Sequence, residues 1–252
     1  MRVTNLNENI IDEITNLIEK SNHITVFTGA GVSTNSGIPD FRGPNGLYKT
    51  IQKRFNLPFP EAVFEINYFK SNPAPFFQLS KEMFNDEIKP TLFHKYIAYL
   101  ESKNKIALVM TQNIDMLHQK AGSKKVIECH GSYIKAHCLK CKKEYDFKEY
   151  ENNLKDGTIP YCDCKGIIKP DVVFFGESLP ESFFEVYYNP PETDLLIVAG
   201  SSLTVQPAAS FALNLLKKTK SILINLEGTY YDDYFTYVIN IDIDKFVEKI
   251  WR

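Results

Sequence analysis

Ile24-Thr25-Val26-Phe27-Thr28-Gly29-Ala30-Gly31 is the stretch that decides the fold: a short, β-branched apolar run that ends in a glycine turn. A run of this length without polar alternation reads as a strand buried on both faces. The same order recurs along the chain. Ile106-Ala107-Leu108-Val109-Met110 runs into Thr111-Gln112-Asn113, Leu195-Leu196-Ile197-Val198-Ala199 into Gly200-Ser201-Ser202, and Ser221-Ile222-Leu223-Ile224 into Asn225. Helical spacing of apolar residues intervenes: Ile10, Ile11, Ile14, Leu17 and Ile18 behind an N-cap at Asn7, then Phe93, Tyr96, Ile97 and Leu100, then residues 208–216, then Phe246, Val247 and Ile250. Buried strands alternating with helices predict an α/β fold, a mostly parallel open sheet with helices on both faces. Ligands of such sheets sit at the carboxyl ends of the strands.

Two stretches break this rhythm. Residues 44–90 are rich in Phe, Pro and Asn, and residues 131–169 hold paired cysteines among many Lys and Glu. Both are expected to be insertions that form a smaller domain, leaving residues 1–43, 91–130 and 170–252 to the larger one.

Composition narrows the function. The chain has 252 residues, 44% hydrophobic and 24% charged, with a formal charge of −2, so it lacks the basic excess that phosphate-backbone binding leaves behind. Nucleic acid is not expected as a direct partner. No stretch approaches the roughly 20 apolar residues of a membrane helix, and residues 1–20 are studded with Asn, Glu and Asp where a signal peptide would be apolar. No membrane association is expected, and a cytoplasmic location is. Four of the five cysteines form two close pairs, Cys138/Cys141 and Cys162/Cys164. In a reducing compartment this spacing points to a structural zinc ion held by four thiolates, with no position left open for chemistry. The fifth, Cys129, is expected to be a buried structural thiol.

Gly29-Ala30-Gly31 after a strand suggests a dinucleotide phosphate cradle, although Thr34 stands where the dehydrogenase fingerprint has its third glycine. A tight turn without a ligand explains the three residues as well. The polar continuation to Gly43 carries Phe41 beside Arg42, one of only four arginines among 29 basic residues. A guanidinium next to an aromatic plane suits a diphosphate and a flat ring. Gln112, Asn113 and Asp115 follow a strand end, where they could bond ribose hydroxyls and a carboxamide; capping of the next helix is the local alternative for Asp115. His130, at the end of the Val126-Ile127 run, can take a hydroxyl proton near neutral pH.

Together these residues resemble one family. GAGVSTNSGIPDFRGPNGLY (residues 29–48), TQNIDMLHQKAG (111–122), ECHGS (128–132), the paired cysteines, KPDVVFFGE (169–177), AGSSLTVQPAA (199–209) and Asn225 are similar, in this order, to the sirtuins, NAD-dependent protein deacylases. The resemblance implies a Rossmann-like domain plus a smaller domain made of a zinc ribbon and a helical insertion. It implies that Gly29, Ala30, Gly31, Thr34, Phe41 and Arg42 bind NAD, that Gln112, Asn113, Ile114 and Asp115 line the ribose and nicotinamide pocket, and that Gly200, Ser201, Ser202, Asn225 and the backbone near Ile243 hold the adenosine half. His130 would be the general base, with Asn113 beside it in catalysis. Val173, Phe174, Phe175, Gly176 and Glu177 would pair with an extended acyl-lysine peptide.

The implied reaction has the acyl oxygen attack the anomeric carbon of the nicotinamide ribose, after which His130 removes a ribose hydroxyl proton. Lysine, nicotinamide and O-acyl-ADP-ribose result. Family members that prefer acidic acyl groups share a Tyr-x-x-Arg pair in the helical insertion and a Thr before Phe-Arg. This chain has Asp40 at the latter position, and Arg54, the one arginine of residues 44–90, lacks the tyrosine. An acidic acyl group would be buried unpaired, so acetyl or another uncharged group is expected. The rival readings are a sirtuin-like ADP-ribosyltransferase or NAD glycohydrolase, and a noncatalytic NAD-binding module. Oligomeric state leaves no trace in these motifs.

Overall fold

The computed structural model describes residues 2–3, 7–41, 46–83 and 88–251. Among them the strands are β1 (Arg2–Val3), β2 (Ile24–Thr28), β3 (Ile106–Thr111), β4 (Val126–Glu128), β5 (Gly131–Cys138), β6 (Glu144–Asp146), β7 (Ile168–Val172), β8 (Leu195–Ala199), β9 (Lys220–Ile224) and β10 (Tyr237–Ile239). The chain divides into two compact units. One comprises Met1–Gly37, Lys89–Cys129 and Glu181–Arg252; the other comprises Ile38–Ile88 and His130–Pro180.

The larger unit holds a seven-stranded sheet in the order β1-β10-β9-β8-β2-β3-β4. Every neighbouring pair is parallel. All five residues of β2 and of β8 are buried, as runs without polar alternation require. Ile24, Val26, Val109, Ile197 and Ile222 meet the helices Glu8–Lys20, Leu92–Ser102 and Ile243–Ile250 in one apolar cluster. Phe27, Met110, Val198 and Leu223, of opposite parity, are equally buried, so the second face is covered as well. The first helix starts as its sequence dictates: the Asn7 side chain accepts from the Ile10 N–H at 3.0 Å.

From β2 the chain adds β3 and β4 on one side, then returns to add β8, β9 and β10 on the other. The strand order therefore reverses between β2 and β8. The loops leaving these two strands, at Gly29 and Gly200, flank the position where open parallel sheets bind ligands.

The smaller unit holds a three-stranded antiparallel sheet in the order β6-β5-β7, with helices Leu47–Phe55, Ile66–Ser71, Ala74–Met83 and Phe147–Asp156. Phe64, Phe69, Phe76 and Phe174 pack edge to face or tilted, with ring centroids 5.1–6.1 Å apart. A parallel bridge joins Glu65 to Phe175. This pairing moves the boundaries from those expected. The sequence places residues 170–180 in the larger domain, but β7 pairs with β5, with His137 opposite Lys169, and Phe175 bonds the helical insertion. Residues 38–41 and His130 likewise group with the smaller unit. No helix among the described residues is long and apolar enough to cross a membrane.

Candidate functional site

Backbone approach between the loops after β2 and β8 explains the glycines. The Gly31 N–H donates to the Gly200 carbonyl at 2.9 Å, and the Gly29 N–H to Ala199 at 3.1 Å. A Cβ on Gly200, whose φ is +63°, would lie 2.4 Å from the Val32 nitrogen. Several N–H groups of the expected phosphate cradle are thus spent inside the protein, and Ala30–Val32 forms a short 3₁₀ turn. Glycine here serves loop-to-loop contact at the switch point. Thr34 opens the next 3₁₀ turn, its hydroxyl donating to the Gly31 carbonyl at 3.1 Å.

Polar side chains converge from four strand ends, those of β2, β3, β8 and β9. The Ser33 hydroxyl donates to Asp115 Oδ2 at 2.6 Å and accepts from the Asn113 side-chain amide at 3.1 Å. Asn113 is buried, and its N–H donates to Thr111 Oγ1. Asp115 Oδ1 also accepts from the Leu117 N–H at 2.9 Å, so it holds both the serine and the start of the following helix. Ile114, between Asn113 and Asp115, is buried too. Gln112 Oε1 accepts from the Ser201 hydroxyl at 2.7 Å. Asn225 clamps Ser201 from both sides, accepting from its N–H at 3.1 Å and donating to its carbonyl at 2.9 Å. Ser202 is exposed next to it, and Ile243 is buried at the start of the last helix. Carboxylate, amide and hydroxyl groups held this way suit ribose hydroxyls and a carboxamide, the donor set NAD requires.

Below this cluster lies a pair that sequence reasoning passed over. His94 and His118 are fully buried with ring centroids 4.6 Å apart. His118 Nε2 meets Thr28 Oγ1 at 3.1 Å, Thr28 donates to Thr111, and His94 Nδ1 meets Thr91 Oγ1 at 2.8 Å. Burial pushes both imidazoles down to about 3. Thr28, the strand-end partner of His118, is the available sequence signal.

In the smaller unit, half-buried His130 occupies the turn before β5. Its carbonyl accepts from the Val173 N–H at 2.8 Å. Gly131 must be glycine: φ is +66°, and a Cβ would fall 1.9 Å from the Asp171 carbonyl. The preceding Cys129 is buried, and its thiol donates to the Thr111 carbonyl at 2.8 Å. Burial raises that thiol's pKa well above the usual range, as a structural thiol requires. Phe41 packs on Tyr48 and Phe64 at 5.3 and 5.7 Å. Arg42 lies outside the described residues.

Phe174 and Phe175 alternate between buried and exposed. Phe175 bonds Phe64 and Ile66 through its backbone, and the Glu177 carboxylate accepts from the Phe174 N–H at 2.8 Å. Among the described residues the Val173 carbonyl and the Gly176 N–H make no hydrogen bond, which leaves backbone groups for an added strand. Lys169, between Ile168 and Pro170, is not singled out by the sequence alone. It is 1% exposed and 2.9 Å from Glu177. Burial lowers its pKa, opposed by Glu177.

The sulfur atoms of Cys138, Cys141, Cys162 and Cys164 all lie within 4.8 Å of one another. Four thiols at this separation match a tetrahedral zinc site with Zn–S bonds of about 2.3 Å.

A family model described as Sir2 matches residues 29–207. The chain is 41% identical to the NAD-dependent protein deacetylase of Thermotoga maritima over 94% of this chain and 96% of that one. It is 41% identical to NAD-dependent protein deacetylase sirtuin-2 of Danio rerio over 98% of this chain and 68% of that one. With NAD-dependent deacetylase sir2D of Dictyostelium discoideum it also shares 41% identity, spanning about half (47%) of that relative's length. A solved structure of Sir2 with p53 peptide and NAD+ superimposes with a TM-score of 0.81 at 39% identity, covering 95% of this chain and 96% of that one. Another Sir2 enzyme structure reaches 0.86 at 41% identity over 97% and 98%. From the matched motifs, the fold and the identity along nearly its whole length, the chain belongs to the Sir2 family.

Proposed function

We propose that the protein removes acyl groups, acetyl first among them, from lysine side chains of proteins in an NAD-dependent reaction that yields nicotinamide and O-acyl-ADP-ribose. The observation that carries this is the cluster of buried Ser33 and Asn113 with half-buried Asp115 at the strand ends beside the switch point, a polar set suited to a nucleotide ribose and carboxamide. NAD supplies an activated glycosidic carbon when bound. Asn113 and Asp115 orient that end, Gln112, Ser201, Ser202 and Asn225 the adenosine half, and Arg42 and Phe41 cover the diphosphate and ribose. His130 takes the ribose hydroxyl proton. Residues 173–177 hold the substrate backbone as an added strand, so acyl-lysine peptides and proteins are the partners. Zinc, held by the four cysteines, supports the smaller unit and takes no part in the reaction.

An uncharged acyl group fits the side chains. Arg54 is exposed, its guanidinium 4.9 Å over the Phe55 ring, and Lys169 is committed to Glu177. Mass spectrometry of products from NAD with acetyl- and succinyl-lysine peptides tests the proposal. Acetyl-ADP-ribose from the acetyl peptide, little turnover of the succinyl peptide, and loss of deacylation with retained NAD binding in His130→Ala are expected. ADP-ribose alone, an ADP-ribosylated protein, or full turnover by His130→Ala would overturn it.

A further inference from the structure

We propose that Lys169 is a positioning residue for substrate: its buried ammonium holds residues 172–177 in the conformation that accepts the peptide backbone. The inference rests on the reading of residues 173–177 as the peptide-docking segment.

The geometry is that of a tie. Lys169 Nζ donates to the Val172 carbonyl at 2.6 Å and the Pro170 carbonyl at 3.2 Å, and lies 2.9 Å from Glu177 Oε2. These three contacts use all three ammonium hydrogens. The same nitrogen sits 4.2 Å from the Phe174 ring centroid, a cation–π contact in a dry setting. Glu177 Oε2 in turn accepts from the Phe174 N–H at 2.8 Å. One cation thus touches the residue before the docking segment, the ring in its middle and the carboxylate at its end. Outside these contacts the segment is held by backbone bonds from Val173 to His130 and from Phe175 to Phe64 and Ile66. The carbonyl of Val173 and the N–H of Gly176, the groups left for an added strand, lie between the points that Lys169 secures.

A buried cation is expensive, and a methionine of similar length would fill the space without that cost. Packing alone therefore does not account for a lysine here. Fixing the curl of a segment whose backbone is the binding surface does, because main-chain pairing is lost when donors and acceptors move by about 1 Å.

The test compares a short acetyl-lysine peptide with a single-residue acetyl-lysine amide, which offers the acyl group but almost no backbone. In the wild-type enzyme the peptide is expected to be preferred in kcat/KM. Lys169→Met is expected to lower kcat/KM for the peptide by roughly 10- to 100-fold, mostly through KM, with the preference over the amide collapsing and KM for NAD within about twofold. Lys169→Arg, which keeps charge and donors, is expected to restore the preference. If K169M does not yield folded protein, Glu177→Gln, which keeps an acceptor for Phe174 but removes the charge pair, should give a smaller loss in the same direction. An unchanged preference in K169M, or in E177Q when that variant carries the test, would overturn the role of Lys169. So would equal loss on both substrates. A wild-type enzyme indifferent to peptide backbone would instead overturn the docking reading, and the proposal with it.

Discussion

Acid should loosen the larger unit through His94 and His118. Both imidazoles are buried, and among the described residues His94 Nε2 and His118 Nδ1 have no hydrogen-bond partner, so a proton on either ring would have nothing to bond there. Each titrates near 3 in the folded chain against 6.5 when exposed; burial is the main cause, with mutual repulsion acting on His118 and Asp115 opposing only in part. The unfolded chain therefore binds more protons, and stability falls as pH falls. The contribution is complete above about pH 6.5 and drains away down to about pH 3. At pH 5 the unfolded imidazole is almost wholly protonated and the folded one is not, which costs about 2 kcal/mol per ring and about 4 kcal/mol for the pair. Trp251 is the single tryptophan and packs on Tyr96 and Tyr99 at 5.4 and 5.3 Å, so its fluorescence reports this unit alone. Urea unfolding followed by Trp251 at pH 7 and pH 5, in wild type and in a His94→Gln, His118→Gln variant, measures the term. The wild type should lose about 4 kcal/mol more than the variant between the two pH values. Equal losses in the two proteins would refute the reasoning.

Gly131→Ala should destabilise the smaller unit by about 3 kcal/mol, combining left-handed backbone strain with a Cβ driven against Asp171, as read by calorimetry. Cys138→Ser or chelation should release zinc and unfold that unit, because a closed four-thiolate site contributes folding energy directly. Metal analysis with far-ultraviolet circular dichroism checks this, and Trp251 fluorescence should change little.

The parallel core was legible because its strands are short apolar runs of β-branched residues, and the helices between them repeat apolar residues at 3.6. Strands β1 and β10 were not: two or three residues carry no period, and they become strands only because a neighbouring edge accepts them. The boundary expected at residue 170 cuts β7 for a related reason. Its pairing with β5 is set by antiparallel register around the cysteine module, which a local pattern does not encode. Asn113 and Asp115 can be named from their place after a strand end, and Asn225 from the family resemblance, but the hydroxyl that joins the first two, Ser33, emerges only from geometry. The glycines at 29, 31 and 200 were conspicuous, yet loop contact across the switch point was invisible without the neighbour. The role of Lys169 is not legible in the sequence because its partner Glu177 lies eight residues on.

The pairing of β2 with β8 sets Ile24 against Leu195, and that of β1 with β10 sets Arg2 against Val238. On a ribosome adding roughly 5–20 residues per second, β2 and β3 would wait on the order of 10 s with one apolar edge open before β8 emerges to close it. Meanwhile the whole of the smaller unit is synthesised and can fold. Birth of the chain thus reverses its architecture: the inserted unit is complete first, and the sheet that surrounds it in sequence is completed only when the strand at Tyr237–Ile239 leaves the exit tunnel. Until β8 emerges, the open edge of β2 is a target for chaperones and for mispairing.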